Sequence, residues 1–327
     1  MTTLVTGAAG FVGNNLVREL LAQGRTVRCL VRTHSAQLED LGVEQVLGDT
    51  TQPESLTAAF EGVETVFHLA ALVQVGQVKA DQLFRTNVEG PRNVAAACLA
   101  AGVRRMVHCS SCHALYEHPL HAPIDETRAL ALSDDCLPYS RSKAEGELQV
   151  LEAVAKGLDA VICNPTGIIG PHDDRPSHLG ELFIMLHERA MPALIDATYD
   201  FVDVRDVVMG LMAAEARGRA GERYLLSGHR VNVKQLAGWA EQATGIKSPT
   251  MTSPMWLAML GAPFVAGWAK LRGQRPIYSP EALEVLRGNS DFDHAKATRE
   301  LGYQPRPMEQ TVQGFYDWYL PWKAGQA

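Results

Sequence analysis

The sequence predicts an α/β fold: a doubly wound parallel sheet with helices on both faces, followed by a smaller, mainly helical C-terminal lobe. Three observations predict it. A glycine-spaced turn, Thr6-Gly7-Ala8-Ala9-Gly10-Phe11-Val12-Gly13, follows the apolar pair Leu4-Val5 and runs straight into a helical pattern. Strand-like and helix-like stretches then alternate six times over the first half, and right-handed crossovers make a parallel sheet the expected product. After Pro171 the alternation gives way to mixed loops and helices.

In the turn, Gly7 lets the chain leave a strand sharply, Gly10 lets backbone approach a phosphate, and Gly13 lets the next helix pack tightly. The helix N-terminus adds amides and the positive end of a dipole, so the turn suits a pyrophosphate. Its Gly-x-x-Gly-x-x-Gly spacing differs from the Gly-x-Gly-x-x-Gly of the standard dinucleotide fingerprint, so the reading rests on context. Val12, Leu16, Val17, Leu20 and Leu21 recur at helical spacing, and Gly24 stops the helix. Val27 to Val31 is the second strand. Where NAD enzymes of this architecture usually carry an acidic residue for the ribose hydroxyls, this chain has Arg32, then Thr33-His34-Ser35. An arginine there suits a 2′-phosphate, so NADP(H) is preferred and NAD(H) stays open; a surface arginine at a strand end is the plainer alternative.

Val43 to Leu47 is the third strand, ending in Gly48-Asp49-Thr50 before a helix begun by Pro53. Asp49 is either an adenine contact or a loop acid or cap. Val66 to Leu69 is the fourth strand and runs into Ala70-Ala71, whose small side chains would let a cofactor lie close. One long helix, roughly Leu83 to Ala101, carries Asn87 and ends at Gly102. Val103 to Cys109 is the fifth strand and delivers Ser110-Ser111. A loop with Pro119, Pro123 and Asp125-Glu126 leads to a helix expected to start near Ser133 or Asp134, with Pro138 in its first turn. Ala160 to Cys163 is the sixth strand, followed by Asn164-Pro165-Thr166-Gly167. Phe201 to Val207 and Tyr224-Leu225-Leu226 are expected to return to the sheet, and helices near Val233 to Thr244 and Ser279 to Arg287 belong to the second lobe. The expected division is a dinucleotide-binding domain over 1–165, with 200–227 returning to it, and a substrate-binding lobe over 166–199 and 228–327.

A chain of 327 residues exceeds what one nucleotide-binding unit needs, and a net charge of -7 argues against nucleic acid as a partner. The first strand begins within a few residues of Met1, leaving no room for a targeting segment, so a cytoplasmic protein is expected. Six cysteines, Cys29, Cys98, Cys109, Cys112, Cys136 and Cys163, mostly inside apolar runs, agree with a reducing compartment. The longest apolar stretch, Met255 to Ala269, is interrupted by Gly261, Pro263 and Gly267 and is too short to span a membrane. A helix at the substrate cleft or a subunit interface fits it better, which leaves a homodimer open.

Tyr139 and Lys143 stand four apart on a helix and so share a face, one turn apart. A neighbouring ammonium favours tyrosinate, which would lower the Tyr139 pKa and let the phenol exchange a proton with a substrate oxygen. Ser111, on a neighbouring strand end, can hydrogen-bond the same oxygen. By itself such a pair is more often a solvated helix face. Cys109 to His113 spells the haem-attachment pattern Cys-x-x-Cys-His, but a buried strand and the absence of an export signal speak against it. Cys112 and His113 are expected instead to flank the active site. His172, Asp173, Asp174 and His178 are too irregularly spaced for a metal site, and none is expected.

The order of the glycine turn, Ser110-Ser111, Tyr139-x-x-x-Lys143 and Asn164-Pro165 resembles the extended short-chain dehydrogenase/reductase superfamily, which includes the NAD-dependent epimerase/dehydratase family. The resemblance covers nearly the whole chain, with Phe67-His68-Leu69-Ala70-Ala71, Asn87-Val88-Glu89-Gly90, Phe201-Val202-Asp203-Val204-Arg205-Asp206 and Leu301-Gly302-Tyr303-Gln304-Pro305 as further matches. Val27-Arg28-Cys29-Leu30-Val31-Arg32 looks most like the dihydroflavonol reductase and 3β-hydroxysteroid dehydrogenase branch. The resemblance implies a Rossmann domain and hydride transfer at C4 of a nicotinamide. Tyr139 would be the general acid/base, Lys143 would hold the nicotinamide ribose and tune Tyr139, and Ser111 would orient the carbonyl or alcohol. Gly7, Gly10, Phe11, Val12, Arg32, Asp49, Thr50, Ala70, Ala71, Asn87 and Pro165 would line the cofactor, with Tyr139 and Lys143. Departures are Cys109, where many relatives have Thr or Ser, and Cys112-His113, where they have small residues. The rival readings are an NAD-dependent nucleotide-sugar epimerase or dehydratase and a catalytically silent dinucleotide-binding regulator. Trp256, Met259, Phe264 and Trp268 belong either to a packing helix or to the wall of a site for a hydrophobic small-molecule substrate, while Arg272 and Arg275 are the basic residues a sugar diphosphate would want.

Overall fold

The computed structural model describes residues 2–73, 79–260 and 280–325. In chain order its strands are β1 (Thr2–Thr6), β2 (Thr26–Val31), β3 (Glu44–Leu47), β4 (Val63–His68), β5 (Arg105–Cys109), β6 (Ala160–Pro165), β7 (Gly167–Ile169), β8 (Leu194–Ile195), β9 (Thr198–Asp203), β10 (Arg223–Leu226), β11 (His229–Asn232) and β12 (Thr252–Ser253). Seven of them form one sheet in the order β10-β6-β5-β4-β1-β2-β3, every neighbouring pair parallel. Winding reverses between β1 and β4, which opens a crevice outside the carboxyl ends of those two strands.

The apolar strand runs reflect burial on both faces. Leu4, Leu30, Val66, Met106 and Ile162 share one face and meet Leu56, Phe60, Val94 and Val150. Their neighbours Val5, Val31, Phe67, Val107 and Val161 share the other, with Leu16, Val17, Leu20, Val207 and Leu211. The helices involved are α1 (Phe11–Ala22), α2 (Ala36–Glu39), α3 (Thr57–Phe60), α4 (Ala80–Phe84), α5 (Gly90–Ala101), α6 (Pro138–Ala155), α7 (His178–His187), α8 (Val204–Arg217) and α9 (Val233–Thr244). A second core forms around α7, β9, α9 and the helix Met308–Ala324, with Phe183, Phe201, Leu236, Phe315 and Tyr316 at its centre. Among the described residues no helix is long and apolar enough to cross a membrane.

Three elements differ from expectation. The helix carrying Tyr139 starts at Pro138 and not at Ser133 or Asp134, because the proline ring drives the preceding Leu137 to an extended ψ of 143°. The long helix before β5 is broken: a π-turn, Arg85–Glu89, separates α4 from α5. It lets α6 come close at Gly146, where a Cβ would stand 2.2 Å from the Asn87 carbonyl oxygen. Phe201 to Val207 does not rejoin the main sheet as a strand. β9 pairs with β7 and β11 in a separate three-stranded sheet, and the chain turns helical after Asp203, whose carboxylate accepts the Arg205 N–H at 2.7 Å. Val204, Val207, Val208 and Leu211 sit at helical spacing, so α8 buries them on the sheet; β10 alone returns to it, beside β6.

Gly146→Ala is therefore expected to destabilise the fold by about 1–3 kcal/mol through overpacking. Gly238→Ala, on α9 where nothing lies within 4 Å of the added Cβ, should stabilise it by about 0.5–1 kcal/mol. Urea denaturation of the two variants checks the opposite signs.

Candidate active site

A cavity of about 610 Å³ occupies the crevice between the ends of β1 and β4. Gly7, with φ of 71°, forms its floor; a Cβ there would stand 2.7 Å from the Ala70 nitrogen. Gly13 packs on the turn itself, since a Cβ would meet the Gly7 carbonyl oxygen at 2.1 Å. Gly10 is the N-cap of α1 and supplies no side-chain cap, so the first amides of that helix are left for a ligand. Bare backbone and uncapped amides fit the pyrophosphate of a dinucleotide.

Of the residues singled out from the sequence, Gly7, Gly10, Phe11, Arg32, Asp49, Thr50, Ala70 and Ala71 line this cavity. Arg32 is exposed, and among the described residues no hydrogen bond or ion pair engages it. Asp49 plays the loop role considered for it, its Oδ1 accepting from Thr51 N and Oγ1, each at 2.9 Å, and it also reaches the cavity wall. Val12, Asn87, Tyr139, Lys143 and Pro165 do not line it. Val12 turns toward the apolar core. The Asn87 amide pairs with the Leu72 backbone at 2.8 and 2.9 Å and donates to Ser142 Oγ at 3.0 Å, so it holds the wall in place from behind. His172, Asp174, Arg175 and Arg85 also face the cavity. The His172 backbone has a φ of 60°, a conformation legible only in three dimensions.

Ser111, Tyr139 and Lys143 lie where β5 ends and α6 begins. The Ser111 hydroxyl accepts the His113 N–H at 3.3 Å, and Lys143 Nζ donates to the Cys109 carbonyl at 3.2 Å. Burial pushes the Tyr139 phenol well above its ordinary pKa, and the nearby Ser111 hydroxyl offsets only part of that. The expected lowering by Lys143 is therefore not the net result in the ligand-free chain. Lys143 is buried, its ammonium turned to a carbonyl, and burial lowers its own pKa. His68 and His108 stack beneath, ring centroids 5.3 Å apart, and burial holds both neutral, His68 at about 3.

Cys112 and His113 do flank this corner. The His113 ring meets Tyr139 edge-on at 6.0 Å, and its Nε2 lies 3.2 Å from Tyr199 Oη, which also approaches Cys112 Sγ at 3.6 Å. Burial raises the thiols of Cys109 to about 11 and Cys112 to about 12, so both stay protonated. Trp256 and Met259 are exposed; Phe264, Trp268, Arg272 and Arg275 lie outside the described residues.

A glycine-floored crevice at the switch point of a parallel sheet, together with a Ser after β5 and a Tyr and a Lys one turn apart on α6, defines a class, the extended short-chain dehydrogenases and reductases. Residues 3–232 match the model of the NAD dependent epimerase/dehydratase family, and the chain belongs to that family as an NAD(P)-dependent enzyme. Its relatives include the dihydroflavonol reductase-like and 3β-hydroxysteroid dehydrogenase proteins anticipated from Val27 to Arg32. It is 35% identical over 325 residues, 98% of each chain, to sterol demethylase protein B of Methylococcus capsulatus. It is 30% identical over 317 residues, 95% of this chain and 94% of the relative, to a 4-hydroxy-2-methyl-3-oxo-4-farnesyl-3,4-dihydroquinoline-1-oxide ketoreductase of Stigmatella aurantiaca. The crystal structure of gox2253 superposes with a TM-score of 0.84 at 33% identity, over 98% of each chain.

A shielded, protonated Tyr139 has a spectroscopic consequence. The ultraviolet tyrosinate difference between wild type and Tyr139→Phe should stay flat from pH 7 to 10 in the ligand-free protein; a midpoint below 9 would contradict the burial argument.

Proposed function

We propose that the protein is an NADP(H)-dependent oxidoreductase that interconverts a secondary alcohol and a carbonyl. The observation that supports this reading best is the placement of Ser111 at the end of β5 and Tyr139 at the start of α6, with Lys143 one turn along the same helix and bonded to the Cys109 carbonyl. Bound NADP(H) would supply or accept the hydride. A substrate oxygen set between Ser111 Oγ and Tyr139 Oη is oriented by the serine and receives the phenol proton during reduction. Lys143 supplies positive charge behind the phenol, which eases the return of that proton in the oxidative direction.

Arg32 supports NADP(H) over NAD(H). It stands unpaired at the end of β2, with His34 and Ser35 beside it on the cavity wall, and no acidic residue replaces it there. The relatives named for a sterol and a farnesylated quinoline favour a large apolar substrate. The second lobe would supply its wall, beginning at Tyr199, which faces His113 of the first domain. Free cysteines throughout suit the cytoplasm.

Tyr139→Phe is expected to lower kcat by about 10²–10⁴-fold while leaving the NADPH Kd within a small factor. Steady-state kinetics on a panel of ketones, with NADPH consumption followed by absorbance, makes the check; retained turnover rejects the role. An epimerase or dehydratase would recycle its hydride and consume no cofactor in that assay, and a silent binder would bind NADPH without turning over any panel compound. Arg32→Ser should weaken NADPH binding by about 1.5–3 kcal/mol and leave NADH binding unchanged. Isothermal titration of both cofactors decides it, and tighter wild-type binding of NADH would remove the argument from Arg32.

A further inference from the structure

Glu147 follows Lys143 by one turn on α6, as Lys143 follows Tyr139, so the three project from one face of the helix. It is fully buried. One carboxylate oxygen accepts from Asn164 Nδ2 at 2.6 Å, and the other pairs with Arg223 Nε of β10 at 2.5 Å. The same Asn164 nitrogen donates to the Ser111 carbonyl at 2.8 Å. Both partners of that nitrogen are acceptors, which fixes the orientation of the amide. The network ties the backbone of Ser111, the end of β6 and the face of α6 into one unit.

A buried carboxylate needs a reason to be retained, since an apolar residue would pack there without desolvation cost. The groups around Lys143 supply one. His68 on β4 and His108 on β5 are held neutral by burial; Cys109 on β5 and Cys163 on β6 keep their protons, as does Tyr139 on α6. Glu147 is the one carboxylate in this set, one turn along α6 from Lys143, and its charge opposes the burial that lowers the Lys143 pKa.

Resting on the proposed Ser111, Tyr139 and Lys143 chemistry, we infer that Glu147 is a positioning residue: it fixes Ser111 through Asn164 and provides the counter-charge for Lys143. Asn164 and Glu147 touch neither substrate nor cofactor on this reading. Their action passes through the two residues they hold.

Two variants separate this role from mere attachment of α6 to β10. Glu147→Gln keeps an acceptor for Asn164 but loses the charge. Arg223→Met loses the ion pair but leaves the carboxylate facing Asn164 and Lys143. With the panel ketone that wild type turns over fastest, Glu147→Gln should lower kcat by about 10–100-fold with the NADPH Kd unchanged. The alkaline limb of its kcat profile should move down by about one pH unit. Arg223→Met should lose thermal stability with kcat within a few-fold of wild type and without the downward move of that limb. If both variants lose only stability, the inference is overturned. The charge component has a substrate-free readout: the ¹⁵N titration of the Lys143 ammonium in ligand-free protein should shift downward in Glu147→Gln, and an unshifted midpoint overturns it. Should that variant not fold, Asn164→Leu reads the tether from β6, and an unchanged kcat there overturns it. Tyr139→Phe run alongside keeps the cases apart, since its retained turnover would sink the parent chemistry and not this network alone.

Discussion

The Gly7 backbone sits against the Leu69–Ala70 peptide with no room for a side chain between them. That contact fixes the distance between the first turn and the end of β4, and so the width of the crevice at the switch point. Thr6 secures it from behind: its hydroxyl lies 2.7 Å from His68 Nδ1 and accepts the Ala70 N–H at 3.2 Å. The wall residues Ala70 and Ala71 are thereby placed by β1 as much as by β4. Asn87 completes the frame by gripping Leu72 from the π-turn, where α4 gives way to α5. A helix without that turn would present its Asn87 carbonyl differently to α6, and Gly146 marks how close the two helices come.

The proposed chemistry sits on the far side of the same frame. α6 can present Tyr139 in its first turn only because Pro138 starts the helix there. From that start the helical repeat alone places Lys143 and Glu147, and the strand ends of β5 and β6 carry their partners. The positions of a phenol, an ammonium and a carboxylate thus follow from one proline and a period of 3.6 residues.

Much of this was legible in the sequence, and the limits are physical. Strands buried on both faces read as apolar runs, which gives β1, β2, β4, β5 and β6 within a residue or a few. Gly102 announces its helix end because a left-handed cap needs a glycine, φ 66°. Ser133 and Asp134 look like caps and point to too early a start for α6, while Pro138 decides the matter through the residue before it. Phe201 to Val207 reads as a strand as easily as a helix start; only the cap at Asp203 and the facing sheet separate the two. At the crevice, Gly7, Gly10 and Arg32 could be found from motif and position. His172 and Arg175 could not, because they come from a loop after β7 whose path depends on the second lobe. The Glu147 network was equally hidden. Its members are 59 or more residues from Arg223, and nothing in their spacing announces a contact.

On the proposed reading, burial of the Tyr139 phenol sets a direction as well as an environment. A phenol held above its ordinary pKa keeps its proton across the neutral range and is ready to donate it, as reduction of a carbonyl requires. Oxidation needs the opposite state, and the chain must then stabilise a phenolate against the same burial. Lys143 is the group that can do so, but in the ligand-free chain its ammonium is committed to the Cys109 carbonyl and is itself weakened by desolvation. The oxidative direction therefore depends on how much positive charge survives at Lys143. On the inference above, the buried carboxylate of Glu147 helps to hold that charge against desolvation, and the two halves of the catalytic cycle place unequal demands on it.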